Sequence, residues 1–138
     1  MTPIKVSELD HIVLNVSDIE RSLKFYTQVL GLGGERVDEF KAGKVGFPSV
    51  RVNQDTIIDL SPKGNPAPQR SSSGKIEGNL NHFCLVAQNL DMNQVVEYLK
   101  GREVPVLNGP VSRWGARGRA TSVYLLDPDG NEIEIRCY

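Results

Sequence analysis

An internal repeat constrains this chain of 138 residues more than any other feature of its sequence. The segment Leu9–Leu14 reads LDHIVL, and the segment Leu80–Leu85 reads LNHFCL. His11 and His82 therefore occupy equivalent positions, 71 residues apart. Because repeated segments of this kind each form one supersecondary unit, the repeat predicts two halves of one design.

The repeat divides the chain into two modules of similar length. Module 1 is predicted over about 7–61 and module 2 over about 79–138. Residues 62–78 between them are rich in Pro, Gly and Ser, which favours a linker. The whole length is that of one domain, so we expect a single domain, 1–138, made of two modules.

Each module is expected to begin with a strand and continue with a helix. The apolar residues of the two strands alternate along the chain: Ile12, Leu14 and Val16 in the first, and Phe83, Leu85 and Ala87 in the second. The first helix is predicted to begin at the capping box Ser17–Glu20 and to end at Gly31. The second is predicted from about Asp91 to Gly101, with Val95, Tyr98 and Leu99 facing inward.

Further strands follow each helix, and one segment interrupts them. The predicted strands are Lys44–Val52 and Thr56–Leu60 in module 1, and Ser122–Leu126 and Glu132–Arg136 in module 2. The Gly-rich stretch Asn108–Ala120 carries three arginines around Trp114. We expect this stretch to be a loop.

Neither sign of charge dominates the chain, which has sixteen Lys and Arg against seventeen Asp and Glu. Charge therefore gives no reason to expect nucleic acid or an anionic membrane as a partner. No window approaches the roughly 18 apolar residues of a membrane span, and no leader pattern opens the chain, so we expect a cytoplasmic protein. The cysteines Cys84 and Cys137 match no metal or redox motif and are expected to be reduced thiols.

Two carboxylates repeat in the same way as the two histidines. Asp59 lies in the apolar run Ile57–Leu60, and Glu134 lies in the apolar run Glu132–Ile135. Because neighbouring residues of a strand point to opposite faces, each carboxylate is expected to face away from its apolar neighbours. The two histidines and two carboxylates should then line the sheet surface opposite the helices.

Two imidazoles and two carboxylates form a ligand set that suits a divalent first-row metal. In an octahedral site they leave two positions open, which catalysis at a metal requires. Each residue also has an ordinary interpretation. A strand histidine is often simply hydrogen bonded, Asp59 fits a solvated sheet face, and Glu134 fits an ion pair with Arg136.

These motifs resemble those of the vicinal-oxygen-chelate superfamily, which includes glyoxalase I, fosfomycin-resistance enzymes, extradiol dioxygenases and bleomycin-binding proteins. The resemblance covers almost the whole chain, and its most specific part is Tyr124–Asn131, which reads YLLDPDGN. Pro128 fixes φ and Gly130 is free to take positive φ, so the run predicts a tight turn before the strand of Glu134. The family implies an α+β fold in which two βαβββ modules form a cup-shaped antiparallel sheet with the helices outside.

By position, the resemblance implies that His11, His82 and Glu134 are metal ligands. Asp59 lies where glyoxalase I has a fourth, glutamate ligand, but aspartate is one methylene shorter. A set of two histidines and one glutamate is therefore the alternative. The implied cofactor is a divalent ion, Zn, Ni, Mn or Fe, and the implied catalytic residue is Glu134 or Asp59, which would move a proton.

The resemblance also nominates residues around the substrate. Ser122 and Tyr124 share one face of their strand, at positions similar to those that border the substrate in fosfomycin-resistance enzymes. Arginine side chains bind carboxylate and phosphonate groups with two hydrogen bonds. The candidate substrate-binding residues are Arg113, Trp114, Ser122, Tyr124 and Arg136.

The implied function is that of a divalent-metal-dependent, glyoxalase-like enzyme, of lyase or isomerase type, acting on a small oxygen-chelating substrate. The first alternative is a fosfomycin-resistance-like thiol transferase or a dioxygenase. The second is a metal-free protein that sequesters a drug, as the bleomycin-resistance proteins do. The expected partners are a small-molecule substrate and a second copy in a homodimer, without nucleic acid or membrane.

Overall fold

The computed structural model describes residues 3–62, 70–88 and 90–138. The chain divides into two compact units, Met1–Asn65 and Pro66–Tyr138. Each unit carries one strand, then a helix, then three strands, which is the predicted βαβββ order, with one additional short helix in the first unit. The predicted α+β class is therefore confirmed.

The first unit forms a four-stranded sheet within its described residues. Its elements are β1 (His11–Asn15), α1 (Ile19–Lys24), β2 (Gly33–Glu35), α2 (Val37–Lys41), β3 (Ser49–Arg51) and β4 (Ile57–Ser61). The strand order is β1-β4-β3-β2. β4 is thus an interior strand, and it runs parallel to β1 and antiparallel to β3.

The helix after β1 begins within the predicted capping segment, but its N-cap is Asp18 and not Ser17, the first residue of the predicted capping box. The side chain of Asp18 accepts a hydrogen bond of 3.0 Å from the backbone N–H of Arg21, which satisfies one of the free donors of the first turn. Beyond Lys24 the helix widens into a π-helical segment, Phe25–Val29, in which Phe25 and Tyr26 are buried. The helical stretch thus reaches the predicted length, but its last turns are wound more widely than expected.

The core of the first unit lies between α1 and one face of its sheet. The predicted apolar face of β1 is confirmed, since Leu14 and Val16 are buried and Ile12 is half-buried. Buried residues from the helical stretch and from the other strands complete this core: Leu23, Tyr26, Val50, Ile58 and Leu60. Burial of these apolar side chains fixes which face of β4 carries Asp59.

The second unit repeats this arrangement within its described residues. Its elements are β5 (Phe83–Val86), α3 (Met92–Gly101), β6 (Val106–Gly115), β7 (Gly118–Leu126) and β8 (Glu132–Cys137). The strand order is β5-β8-β7-β6, again with the first and last strands parallel. Both sheets are therefore mixed rather than wholly antiparallel. In each unit the helix brings the chain back to the end where the first strand began. Three strands then follow in alternating directions, so the last strand runs parallel to the first.

The stretch predicted as the loop Asn108–Ala120 is a β-hairpin instead. Strands β6 and β7 pair from Val106 to the turn, where Gly115 lies opposite Gly118. Gly118 has a φ of +95°, a left-handed value that glycine adopts without strain and that lets the chain reverse here. The arginines of this stretch therefore project from strands and from a tight turn.

Two further predictions needed correction. The strand expected over Lys44–Val52 is limited to β3, Ser49–Arg51. On α3, Tyr98 is 47% exposed, whereas Val96 and Leu99 are buried. The helix begins at Met92, and its buried residues lie four and seven positions after Met92. Tyr98 lies outside this buried stripe and therefore faces outward.

The expected linker is partly ordered against the second unit. Residues 63–69 lie outside the described part of the chain. Arg70 and Ile76 form an isolated bridge, and Arg70 Nη1 donates to the carbonyl oxygen of Asp129 over 2.7 Å. Asp129 belongs to the turn before β8, where Gly130 has the predicted positive φ, +86°. Among the described helices, none has the length and apolar character needed to cross a bilayer.

Candidate functional site

In the first unit, a histidine and a carboxylate face each other across neighbouring strands. His11 opens β1, and Asp59 lies in the middle of β4. Nε2 of His11 is 3.9 Å from Oδ2 of Asp59, and Nδ1 of the same ring is 2.6 Å from Oδ1 of Asp10. The hydrogen bond to Asp10 raises the pKa of His11 most, burial opposes that rise, and the charge of Asp59 adds to it.

Two polar side chains contact the oxygen of Asp59 that does not face His11. Ser49 Oγ donates to Asp59 Oδ1 over 2.5 Å, and Arg36 Nη2 lies 3.5 Å from the same oxygen. Arg36 also donates to Ser49 Oγ over 2.5 Å. Asp59 is buried, so it does not lie on the solvated sheet face that one interpretation of the sequence allowed.

The second unit carries a matching pair on β5 and β8. His82 immediately precedes β5, and Glu134 lies in β8, opposite Cys84 in the parallel register. Nε2 of His82 is 3.2 Å from Oε2 of Glu134. Nδ1 of His82 is 2.6 Å from Oδ1 of Asn81.

Glu134 is also buried and held from behind. Ser122 Oγ donates to Glu134 Oε1 over 2.6 Å, and Arg136 Nη1 donates to the same oxygen over 3.2 Å. Burial on its own would raise the pKa of Glu134. The hydrogen bonds from Ser122 and His82, with the charges of His82 and Arg136, outweigh burial and place that pKa below its ordinary value.

The two units thus build the same four-residue cluster twice. The first cluster is His11, Asp59, Ser49 and Arg36, and the second cluster is His82, Glu134, Ser122 and Arg136. In each, one carboxylate oxygen faces the serine and the arginine, and the other faces Nε2 of the histidine. The arrangement therefore aims one oxygen of each carboxylate at an imidazole.

This donor set fits a divalent metal ion. Nδ1 of His82 faces Oδ1 of Asn81, which only accepts hydrogen bonds, and Nε2 of the same ring lies 3.2 Å from Oε2 of Glu134. In the tautomer with hydrogen on Nδ1, Nε2 and Oε2 face each other with lone pairs that a cation can share. Neutral imidazole with carboxylate is a common ligand pair of first-row metals.

The structure brings the four predicted ligands together two by two, His11 with Asp59 and His82 with Glu134. In residues 3–62, 70–88 and 90–138, no group of three or more His, Cys, Asp or Glu side chains is placed to hold one ion.

Among the predicted substrate-binding residues, Tyr124 lies beside the second cluster. Its ring packs edge-on against His82, with 5.5 Å between ring centres, and its backbone is paired with that of Glu134 across the strands. Burial raises the pKa of Tyr124 most, the charge of Glu134 adds to the rise, and Arg113 opposes it. The phenol therefore stays protonated at neutral pH, under the opposing influences of Glu134 and Arg113.

The other predicted substrate-binding residues separate into exposed and buried groups. Trp114 is 71% exposed on β6, and the guanidinium of Arg119 lies 4.8 Å from its ring centre. Ser122 is fully buried and bonded to Glu134. Arg113 is exposed and donates from Nη1 to the carbonyl oxygen of Ser112.

Arg136 is buried and ties the β6–β7 hairpin to the second cluster. Its two terminal nitrogens donate to the carbonyl oxygens of Arg113, Trp114 and Gly118 over 3.0–3.1 Å, besides the bond to Glu134. The Nε of Arg136 is buried and has no hydrogen-bond partner within the described residues. Arg136 is therefore directed at the protein backbone and at Glu134.

Both cysteines are unpaired, as expected. Cys84 is exposed, on the strand next to Glu134. Burial of its sulfur, followed by the charge of Glu134, raises the pKa of Cys84 to about 11. At neutral pH the side chain is a thiol and not a thiolate.

Four polar residues in or beside these clusters were not identified from the sequence as site residues: Asp10, Arg36, Ser49 and Asn81. Two of them had a signal, because the repeat places Asp10 over Asn81, and both side chains carry an acceptor just before a histidine. Ser49 is found only through the register of β3 with β4. Arg36 has a positive φ of 56°, a backbone state that its residue type does not indicate.

Comparison with known proteins finds matches over nearly the full chain. Residues 8–135 match the model of the glyoxalase/bleomycin resistance protein/dioxygenase superfamily. Virulence protein STM3117 of Salmonella typhimurium is 31% identical over 96% of this chain and 85% of its own length. Metallothiol transferase FosB of Staphylococcus epidermidis is 25% identical over 96% of this chain and 82% of its own length. A solved structure from the mobile metagenome of V. Pseudocholerae is 31% identical, with a TM-score of 0.75 over 99% of this chain and 98% of that chain.

Proposed function

Because this chain belongs to the glyoxalase/bleomycin resistance protein/dioxygenase superfamily, we propose that it is a divalent-metal-dependent, glyoxalase-like enzyme acting on a small oxygen-chelating substrate. The observation that carries the proposal is the pair formed by His82 and Glu134, in which Nε2 and Oε2 face each other at 3.2 Å. The equivalent pair of His11 and Asp59 in the first unit supports it. The proposed ligand residues are His11, His82 and Glu134, and the variants below test whether His11 serves the same ion as the other two.

Asp59 has a different part in the proposal. Its Oδ1 is engaged by Ser49 and Arg36, and its Oδ2 lies 3.9 Å from His11 Nε2, farther than the corresponding distance in the second cluster. This longer gap agrees with the shorter side chain of aspartate. We therefore assign Asp59 a supporting place beside His11, with the two-histidine, one-glutamate set as the ligands.

The residues around the second cluster suit a small anionic or oxygen-rich substrate. Tyr124 keeps its hydroxyl hydrogen and can donate it to a substrate oxygen. Arg113 is exposed and near enough to Tyr124 to oppose the rise of its pKa, and exposed Trp114 offers an apolar surface. A bound divalent ion would supply Lewis acidity at a substrate oxygen.

In the isomerase or lyase form of the reaction, a carboxylate moves a proton. Oε2 of Glu134 or Oδ2 of Asp59 would take a proton from one substrate carbon and return it to a neighbouring atom. Tyr124 would orient the substrate oxygen during that transfer. These roles are supported by the carboxylate oxygen that, in each cluster, faces the histidine and not the serine and arginine.

A thiol transferase is the second candidate, and one observation favours it. The pKa of Glu134 lies below its ordinary value, which suits a permanent ligand better than a proton acceptor at neutral pH. Addition of a thiol to a small electrophile requires less proton transfer from the protein. FosB, a relative over most of both chains, is named as a metallothiol transferase.

Metal content after reconstitution tests the proposal. Wild-type protein loaded separately with Mn, Fe, Ni and Zn is expected to retain one divalent ion per site, and His11→Ala, His82→Ala and Glu134→Gln are each expected to lose it. Asn93→Ala on α3 serves as the matched control, because Asn93 is exposed and lies outside both clusters. Wild-type protein that retains no metal would favour a drug-sequestering protein.

Two assays on the loaded enzyme separate the candidate reactions. The adduct of a thiol with an α-ketoaldehyde tests the glyoxalase-like form, and an epoxide offered with a free thiol tests the transferase form. The expected homodimer is tested with the same variants, by mixing His11→Ala with Glu134→Gln. If the ligands of one site come from two copies, the mixture regains metal binding that neither variant has alone.

A further inference from the structure

The residues that precede the two histidines make the same contact. Oδ1 of Asp10 and Oδ1 of Asn81 each lie 2.6 Å from Nδ1 of the next residue's ring. The residue that contacts the histidine is an aspartate in the first unit and an asparagine in the second, so the contact does not require a charged side chain. What the two side chains share is an oxygen that accepts a hydrogen bond.

The contact decides which ring nitrogen keeps its lone pair. A neutral imidazole has one N–H, and an acceptor at Nδ1 stabilises the tautomer with the hydrogen on Nδ1. Nε2 is then unprotonated, and it is the nitrogen that faces Asp59 in the first unit and Glu134 in the second. The competing tautomer would place the hydrogen on Nε2, where it would donate to the carboxylate instead.

Folding stability does not account for these two contacts. The side chain of Asp10 is 84% exposed, and Asn81 is exposed as well. Hydrogen bonds and ion pairs between exposed groups contribute little to the free energy of unfolding. Their consequence is local, at the ring that each one orients.

We propose that Asp10 and Asn81 are positioning residues, which fix the tautomer and the orientation of His11 and His82 so that each Nε2 is available to a divalent metal ion. The metal part of this inference rests on the proposed function, whereas the tautomer part concerns the metal-free chain. Partners of this kind orient metal-binding histidines generally, and their loss costs about 10-fold to 100-fold in metal affinity.

The two positions differ in one respect. Asp10 is a carboxylate and Asn81 is a neutral amide, so the first imidazole receives the stronger electrostatic support. Exchanging the two types tests this difference without removing the acceptor. Asp10→Asn should weaken metal binding slightly and Asn81→Asp should strengthen it, while either Ala variant should weaken binding by the full 10-fold to 100-fold.

Nuclear magnetic resonance of the metal-free protein tests the tautomer directly. The chain has two histidines, so each ring is resolved and the unmodified one is an internal control. Spectra are recorded at about pH 9, above the ordinary histidine pKa of about 6.5. Ring nitrogen and carbon shifts of the wild type should report hydrogen on Nδ1 for both rings. Asn81→Ala should move His82, and not His11, toward the Nε2–H form, and Asp10→Ala should do the reverse.

Calorimetric titration with Ni²⁺ and Zn²⁺ completes the test on the same proteins. The two Ala variants should bind more weakly than wild type, whereas Asp10→Asn should bind only slightly more weakly and Asn81→Asp more tightly than wild type. A wild-type ring with hydrogen on Nε2, or a tautomer that persists in the Ala variants, overturns the inference. Unchanged metal affinity in both Ala variants also overturns it. If wild type binds neither metal, the proposed function fails, and the tautomer result still decides the role of Asp10 and Asn81.

Discussion

Ser122 donates its hydroxyl hydrogen to Glu134 over 2.6 Å, between neighbouring strands, and both side chains are buried. The bond compensates part of the cost of burying a carboxylate. It also takes one oxygen of Glu134 and leaves the other facing His82. The serine therefore contributes both to the stability of the second unit and to the state of the carboxylate.

Ser122→Ala is expected to lower the free energy of unfolding by about 1–3 kcal/mol, because a buried acceptor loses its donor. The pKa of Glu134 is lowered in the folded protein, so its stabilising effect is full above the unfolded pKa and is lost as pH falls through the folded pKa. The variant raises the folded pKa toward the unfolded value, so the pH-dependent part of the stability should be smaller and its loss should be complete at a higher pH than in the wild type. Urea denaturation across a pH series measures both effects.

Exposed Ser73 supplies the control for that experiment. Ser73→Ala should change the free energy of unfolding by less than about 0.5 kcal/mol at every pH. Equal effects of the two substitutions would contradict the assigned importance of the Ser122 bond.

Gly115→Ala is expected to destabilise the β6–β7 hairpin. A Cβ at this position would lie 2.4 Å from Arg136 Cζ and 2.6 Å from the hydroxyl oxygen of Tyr138. The guanidinium is held by three backbone carbonyls and has little freedom to move. Overpacking of this kind costs about 1–3 kcal/mol, which thermal or chemical denaturation would detect.

A second glycine separates this steric effect from the general effect of adding a methyl group. A Cβ at Gly33 would meet no atom within 4 Å, so Gly33→Ala should be close to neutral. A Gly115→Ala protein as stable as the Gly33→Ala protein would show that the hairpin accommodates the side chain.

Arg136→Lys is expected to be destabilising although it keeps the positive charge. Lysine cannot reproduce the planar fork that binds the carbonyls of Arg113, Trp114 and Gly118 together with Glu134. Loss of even one hydrogen bond made by a charged group costs about 1.5–3 kcal/mol. Chemical denaturation measures the cost. Arg113→Lys, at an exposed arginine, is the control, and its stability should remain near that of wild type.

Cys84 is expected to react slowly with alkylating reagents despite its exposure. Its pKa is raised from the ordinary value of 9.0 to about 11, chiefly by burial and next by the charge of Glu134. At about pH 8 the thiolate fraction is thereby about 100-fold smaller than that of an ordinary thiol. Iodoacetamide labelling of the metal-free Cys137→Ser protein, followed by mass spectrometry, gives the rate.

Removing the charge beside this thiol should increase the rate. Glu134→Gln lowers the pKa of Cys84 and is expected to speed its labelling, whereas Glu77→Gln, on the segment before β5, should leave the rate unchanged. Fast labelling of the wild-type thiol would contradict the raised pKa.

The repeat predicted most of what positions the clusters. Equivalence of His11 and His82, with alternating apolar residues after each, was sufficient to predict two modules that begin with a strand and a helix, and the faces of β1 and β5. The full βαβββ order was implied by the family resemblance. The carboxylates were found in the same way, because Asp59 and Glu134 each interrupt an apolar strand. Patterns that recur within one chain reinforce each other, since a chance match is unlikely to be repeated at equivalent positions.

The elements that were missed depend on contacts between distant residues. The sequence predicts a loop where the structure has the hairpin at Gly115 and Gly118, because the glycines and arginines of this stretch lack the alternating apolar pattern of a strand. The pairing depends on the register between β6 and β7. The π-helical winding of Phe25–Val29 follows from packing and has no sequence period of its own. Arg36 and Ser49 join the first cluster through a left-handed backbone and a strand register, which local sequence does not encode.

Duplication has left the two clusters with unequal chemistry. The first combines two short acidic side chains, Asp10 and Asp59, around its imidazole, and the second combines a neutral amide with a longer acid, Asn81 with Glu134. Each set is carried by strands and flanking residues of its own unit. A substitution in one cluster therefore changes the surroundings of one histidine and leaves those of the other as they are, so the two halves of the chain can diverge one position at a time.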